Sequence, residues 1–236
     1  MNKAVILCGG RGERLRPLTS KTPKPLIKIG GQPVLEHLIN VLKKGGVEEI
    51  YLAVSYLGEK IEEYFQDGQK WGVKIYYSYD REPLGGAGAI KLLEKRLDVS
   101  FVVLNGDFLT NLNLIEMVNF HRQKRGTASF LVHRTNHPYD SDLVEYDDNF
   151  LVKRFFRPKP GDKFKPVSKS GAHIFEPEVF KYIPMNKSYS LEKELIPELL
   201  KKGKKLYAFY NQAYSKDIGT WPRLKKARQD FRQGKI

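Results

Sequence analysis

Short apolar runs alternate with segments of helical spacing through the first two-thirds of the chain. The pattern predicts strands at 4–7, 50–56, 73–79, 101–104 and 128–133, with helices at 33–44, 58–66, 87–97 and 112–125. The helix at 33–44 is the clearest. Val34, Leu35, Leu38, Ile39, Val41 and Leu42 recur on one face, Pro33 opens it and Gly45-Gly46 closes it. Strands separated by helices with brief connections imply parallel pairing through right-handed crossovers. The predicted fold class is α/β: a doubly wound, three-layer, Rossmann-like sheet, mostly parallel.

From about residue 138 the texture changes. The stretch 138–166 holds four of the thirteen prolines, many charges and strand-like pieces at 143–146 and 150–156, which predicts a small β-rich lobe. Strands are predicted again at 170–175 and 206–210. Between them 190–202 reads as a helix with Leu191, Leu195, Ile196, Leu199 and Leu200 on one side. No repeat, low-complexity tract or linker divides the 236 residues, so one domain is expected.

Composition narrows the setting. No apolar run approaches the roughly 18 residues of a membrane helix. Met1-Asn2-Lys3 leads straight into the first strand, so no signal peptide is expected, and the single cysteine, Cys8, excludes an internal disulfide. A cytoplasmic protein with no membrane partner is expected. The net charge of +14 raises nucleic acid as a partner, but its placement argues otherwise. The excess gathers in 201–205 and in 221–236, where Arg223, Lys225, Lys226, Arg228, Arg232 and Lys235 face one acid, Asp230. Only Trp221 and Phe231 are interleaved with these charges, too few for stacking on bases. The tail reads as a solvated helix face, contacts within a homo-oligomer being its other use.

The chemistry concentrates where the first strand ends. Gly9-Gly10-Arg11-Gly12 follows Ala4-Val5-Ile6-Leu7, and a strand breaking into a glycine loop makes a cradle of backbone N–H groups for phosphate. The spacing is neither the dinucleotide fingerprint nor a Walker loop. Arg14 and Lys24 supply positive charge, and Pro23 and Pro25 fix the chain around Lys24 so that its ammonium is aimed. Asp107 follows Phe101–Gly106 at the carboxyl end of a strand, where open α/β sheets place their ligands. Asp217 lies before a helix in Lys216-Asp217-Ile218-Gly219-Thr220. Each acid alone reads equally as a cap; beside a phosphate cradle the two point to a Mg²⁺ site on phosphates. A second run, Pro83-Leu84-Gly85-Gly86-Ala87-Gly88, permits close approach of a base or ribose, or else tight packing. His37, His121, His133, His137 and His173 show no zinc-ligand spacing, and Cys8 reads as a small buried residue.

Together, Gly9-Gly10-x-Gly12-x-Arg14-Leu15, Pro23-Lys24-Pro25, Pro83-Leu84-Gly85, Gly106-Asp107 and Asp217-Ile218-Gly219-Thr220 resemble the sugar-1-phosphate nucleotidyltransferases, in order and over almost the whole chain. The resemblance implies transfer of a nucleoside monophosphate from a nucleoside triphosphate to a sugar-1-phosphate, with Mg²⁺. It implies that Arg14 holds the β- and γ-phosphates, that Lys24 contacts the α-phosphate or the sugar phosphate, and that Asp107 and Asp217 hold the metal. Leu7, Gly9, Gly10, Arg11, Gly12, Pro83 and Gly85 would line the nucleotide, with Asp80 near the base edge. Asn105 and Gly171 would lie against the sugar. It also implies a nucleotide-binding part at about 1–135, a sugar-binding part at about 136–215, and a metal motif with a helix at 216–236.

The chain departs from that family in one place. Where the family often carries Glu-Lys-Pro, residues 155–160 read Phe-Phe-Arg-Pro-Lys-Pro, with Arg157 where the glutamate would be. Lys159 or Lys153 is then left for the phosphate, and Glu192, in Ser190-Leu191-Glu192, for the sugar hydroxyls. Gly85–Lys91 and Lys216–Thr220 look most like guanylyltransferases for heptose-1-phosphate and mannose-1-phosphate. Uridylyl- and thymidylyltransferases for glucose-1-phosphate or cell-wall amino sugars are the alternatives, and a catalytically silent nucleotide-binding module is the alternative of another class.

Overall fold

The structure, a computed structural model, describes residues 1–80 and 82–236. In chain order its first elements are β1 (Lys3–Leu7), β2 (Lys28–Ile29), β3 (Gln32–Pro33), α1 (Val34–Lys44), β4 (Glu49–Val54) and α2 (Gly58–Phe65). Next come β5 (Lys74–Tyr79), α3 (Gly85–Lys91), β6 (Phe101–Asn105), β7 (Phe108–Thr110), α4 (Leu114–Lys124), β8 (Ala128–Arg134) and β9 (Leu143–Tyr146). The last are β10 (Val152–Phe156), β11 (Val167–Phe175), α5 (Ile196–Lys201), β12 (Leu206–Tyr210), β13 (Ser215–Asp217) and α6 (Trp221–Arg232). The residues divide into two compact units. One comprises Met1–Pro83, Phe101–Ile115 and Ala213–Ile236, the other Leu84–Ser100 and Glu116–Gln212.

In the first unit the strands run β6-β1-β4-β5, all parallel, as the alternation implies. Ala4, Val5 and Ile6, with Ile50, Leu52 and Val54, are fully buried, the signature of strands covered on both faces. The register sets Leu7 beside both Asn105 and Ala53, and Val54 beside Tyr79, so four carboxyl ends line one edge. This is the Rossmann-like sheet of the sequence reading.

A second, smaller ribbon was not legible in the sequence. β7 and β13 pair antiparallel, Phe108 opposite Asp217 and Leu109 opposite Lys216. Behind the ribbon, α6 buries Leu224 and Ala227 against Leu15, Ile27, Ile29, Leu109 and Ile218. Asp230 on the same helix is buried and held by Tyr214 and Lys226. The basic helix thus has one structural face, while Lys225 and Arg228 stay exposed.

The second unit is the β-rich one. Its strands are antiparallel in β10/β9, β9/β11 and β11/β8, and β12 joins β8 in parallel. The β11/β8 register shifts between Lys169 and His173, an irregularity of the kind that bends a strand and re-aims its side chains. The helix expected at 190–202 is split. Leu191–Leu195 is a wide π-turn closed by Leu195 N–H on the Ser190 carbonyl, and Ile196–Lys201 is α-helical. Pro197 has no N–H to donate to Lys193, which frees that turn to widen. The helix expected at 87–97 is regular only over Gly85–Lys91. It continues as tight turns to Leu97, whose N–H meets Leu93.

Candidate active site

The glycine loop leaves the sheet where β1 ends. Cys8 extends the strand by one bond, its N–H donating to the Ala53 carbonyl at 2.7 Å. Gly9 then passes Ser55, where a Cβ would sit 3.4 Å from the serine Cβ, whereas a Cβ on Gly10 would meet nothing. Gly10 and Arg11 are exposed beside Gly12. The turn Glu13–Leu15 drives Leu15 into the core and leaves Arg14 outside. The Cys8 thiol is buried and pushed well up by burial, with Asp107 adding to the effect, so it stays protonated.

Lys24 and Asp107 meet. Pro23 enters a tight turn over Lys24–Leu26, Pro25 is buried, and the Lys24 ammonium donates to Asp107 Oδ2 at 2.6 Å. Gly106 makes this possible from the other side. A Cβ there would lie 2.6 Å from the Leu7 carbonyl oxygen, so only glycine lets β6 turn back against β1. A cleft of about 150 Å³ is lined by Leu7, Cys8, Gly10, Lys24, Asn105 and Asp107 among others.

Asp217 arrives through the ribbon. The Ile218 N–H donates to the Asp107 carbonyl at 2.9 Å, which seats the two acids on adjoining strand ends. Both Asp217 oxygens accept from Arg223, at 2.9 and 2.8 Å, and Oδ1 also accepts from the Gly219 N–H. A Cβ on Gly219 would lie 3.0 Å from Arg14 Nη2 and 2.9 Å from Asp217 Oδ1, so Arg14 reaches the same spot. Arg223 was seen in the sequence only as tail charge. Its place in the first turn of α6, after Asp217-Ile218-Gly219-Thr220, is the signal that could have marked it.

Asp80 sits at the end of β5, its N–H on the Val54 carbonyl. Its Oδ1 is buried with no hydrogen-bond partner, and burial pushes its carboxyl up to about 6. Pro83 follows within the same unit, and Arg81 lies outside the described residues.

In the second unit the small residues of the second glycine run meet protein backbone. Gly85 has φ +68° and a Cβ there would lie 2.7 Å from the Tyr189 carbonyl oxygen. That carbonyl accepts from Ala87 and Gly88, and the Tyr189 N–H donates to Leu84. The run thereby anchors the segment that leads to Glu192. Glu192 is 2.9 Å from the buried Lys169 ammonium, which also contacts His173 Nε2 at 2.7 Å. Burial would raise the Glu192 carboxyl, but Lys169 and then His173 outweigh it and hold it at about 2. Lys169 and His173 were missed because only the shifted register of β11 brings them together. Gly171 lies between them. Arg157 pairs with Asp142, Lys153 with Asp147, and the Lys159 N–H donates to Asp162.

A larger cavity of about 780 Å³ in this unit contains none of the candidate residues. His121, on its wall, is bonded to Ser129 and Glu176. Among the described residues no group of three His, Cys, Asp or Glu is placed to hold a metal, and no helix is long and apolar enough to cross a membrane.

Known proteins resemble the chain in sequence and in fold. The chain is 37% identical over 93% of its length to a protein of Synechocystis sp. named UTP–glucose-1-phosphate uridylyltransferase. It is 34% identical over 92% to a mannose-1-phosphate guanylyltransferase of Mycobacterium tuberculosis. The chain spans 61% of the length of each of these curated relatives. A crystal structure of HddC from Yersinia pseudotuberculosis complexed with GMP-PN superposes with a TM-score of 0.82 at 27% identity, covering 98% of this chain and all of that one. A crystal structure of a protein from Bacillus anthracis named a putative glucose-1-phosphate thymidylyltransferase, at 23% identity, shares the fold with a TM-score of 0.87 over 97% of this chain and 94% of that one. Residues 3–234 match the nucleotidyl transferase family model, and the chain belongs to that family.

Proposed function

We propose that the chain transfers a nucleoside monophosphate from a nucleoside triphosphate to a sugar-1-phosphate, giving a nucleoside diphosphate sugar and pyrophosphate. One observation carries the reading. The Lys24 ammonium is fixed on Asp107 at the mouth of the glycine loop, with Asp217 on the adjoining strand end. A sugar-1-phosphate oxygen attacks the α-phosphorus, the α–β bridging bond breaks, and its electron pair leaves on pyrophosphate. Such a reaction needs positioning and charge more than covalent help. Lys24 stands where charge builds on the α-phosphoryl oxygens, Arg14 serves the leaving phosphates, and the backbone N–H groups at 9–12 cradle them.

Two carboxylates on bonded strand ends are a donor set suited to Mg²⁺, which takes one or two carboxylates and completes its shell with water and phosphate oxygens. Asp107 and Asp217 would hold it, and bound there it would neutralise phosphate charge.

Asp80 supports guanine as the base. Strand ends run from Asp107 after β6 through Cys8 after β1 and Ser55 after β4 to Asp80 after β5. At about 4.8 Å per strand, β1 and β5 are roughly 10 Å apart, comparable to a ribose plus a base. A carboxylate is an acceptor only. Guanine offers it two adjacent donors, N1–H and N2–H, whereas uracil and thymine offer one N–H between two repelling carbonyls. Glu192, held by Lys169 and His173, is an acceptor suited to the sugar's hydroxyls. The sugars that fit the reading are mannose- and heptose-1-phosphate, and the uridylyltransferase relative supports UTP with glucose-1-phosphate as the second reading.

The test is pyrophosphate release with Mg²⁺ across GTP, UTP, dTTP, CTP and ATP, each against mannose-, heptose-, glucose- and N-acetylhexosamine-1-phosphate. One preferred pair containing GTP is expected. Preference for UTP or dTTP would overturn the reading of Asp80, and silence throughout would overturn the activity.

A further inference from the structure

We propose that Arg223 is a further phosphate-binding residue, parked on Asp217 and handed to a phosphate oxygen when a divalent cation takes that carboxylate. The proposal rests on the reading that Asp107 and Asp217 hold Mg²⁺ with a polyphosphate. Arg223 holds both oxygens of Asp217, so a metal ligating Asp217 must share or displace the guanidinium. The pair is half-exposed, 38% and 40% for the two side chains, so the exchange costs little. The same guanidinium fork that fits a carboxylate fits a phosphate. A phosphate oxygen sharing a Mg²⁺ ion with Asp217 would lie close to that carboxylate. A change of rotamer carries Arg223 from one to the other.

Charge explains why the exchange is concerted. Lys24, Arg14 and Arg223 gather around Asp107 and Asp217. Three cations on two carboxylates leave one excess positive charge, which a divalent cation alone would raise and a polyphosphate would bring down. Metal alone is therefore disfavoured, and metal with polyphosphate is favoured. Arg223 opposes the first and assists the second.

That double role gives a signature that simple damage to the fold would not produce. The full chain and its Arg223→Gln and Arg223→Lys variants are titrated calorimetrically with Mn²⁺ alone and with preformed Mg–pyrophosphate. Relative to the unchanged chain, Arg223→Gln should bind Mn²⁺ about threefold or more tighter. It should bind Mg–pyrophosphate about tenfold or more weaker, the loss of one charge-assisted contact. Arg223→Lys should lie between. Both affinities unchanged, or both weakened, would overturn the proposal while leaving the proposed function standing. An unchanged chain that binds neither Mg–pyrophosphate nor any nucleoside triphosphate would remove the function reading and this proposal with it.

Discussion

The two units each carry an acid that the structure treats in opposite ways. Asp80, in the parallel unit, has a buried oxygen with no partner, and burial alone raises its carboxyl to about 6. Glu192, in the β-rich unit, is paired with Lys169, which His173 also contacts, and stays ionised down to about 2. The first is under-satisfied and awaits donors; the second is satisfied and rigid. The same contrast extends to the surroundings. In the first unit the acids Asp107 and Asp217 lie in pairs that water can reach, which suits partners that must exchange. In the second, a bulged strand and a π-turn hold one geometry around a buried lysine. The parallel unit is built to trade charges, the other to keep them.

Substitutions can break this comparison, beginning with the largest effect. Asp107→Asn should lower kcat by about 10³-fold or more with the fold intact, because it removes a carboxylate from both Lys24 and the proposed metal. Lys24→Ala should lower kcat far more than it raises the KM for nucleotide, as a transition-state contact does. Near-normal turnover in either variant, with circular dichroism unchanged, would contradict the site.

Lys169→Met comes next. Removing one partner of a mostly buried pair should cost about 2–3 kcal/mol and raise the KM for sugar-1-phosphate about tenfold, with nucleotide KM unchanged. The clamp should also show in pH titrations. A depressed carboxyl adds stability above the ordinary glutamate range, and that stability is lost as pH falls toward 2.

Asp80→Asn should act with the opposite sign on stability. A raised carboxyl means that the folded chain binds a proton more readily than the unfolded one between about pH 4 and 6. Stability from this group therefore declines as pH rises through that window. Its removal should add about 1 kcal/mol of stability at pH 7, read as a higher melting temperature, once solvent screening of a half-buried group is allowed for. The same variant should lose its preference for GTP. A melting temperature that falls with Asp80→Asn would show that its oxygen has a partner after all. Smallest of all, neutralising exposed Lys225 and Arg228 together should change stability and turnover by no more than about 0.5 kcal/mol.

The sequence was most readable where the chemistry is local. Pro23-Lys24-Pro25 and Gly106-Asp107 are each fixed by their own neighbours, so their types and order suffice to find them. The parallel strands were readable because a buried strand is a run of apolar residues. What stayed hidden depends on pairing across the chain. β13 has three residues, too few for any period, yet its pairing with β7 and the Ile218 bond after it bring Asp217 to Asp107. Lys169 and His173 sit four apart in a strand, a spacing that normally places them on one face but well separated, and only the shifted register of β11 lets them touch. Gly85 and Gly88 admitted two readings in the sequence, and the backbone of Tyr189 gives the packing one a visible partner.

The central claim is that the phosphate oxygen of a sugar-1-phosphate attacks the α-phosphorus at the Lys24–Asp107 centre. Sugar-1-phosphate labelled with ¹⁸O in its terminal phosphate oxygens tests this directly, with mass spectrometry of both products. Label is expected in the bridge between the two phosphorus atoms of the nucleoside diphosphate sugar, and none in pyrophosphate. Label in pyrophosphate, or unlabelled nucleoside monophosphate formed by attack of water, would contradict it.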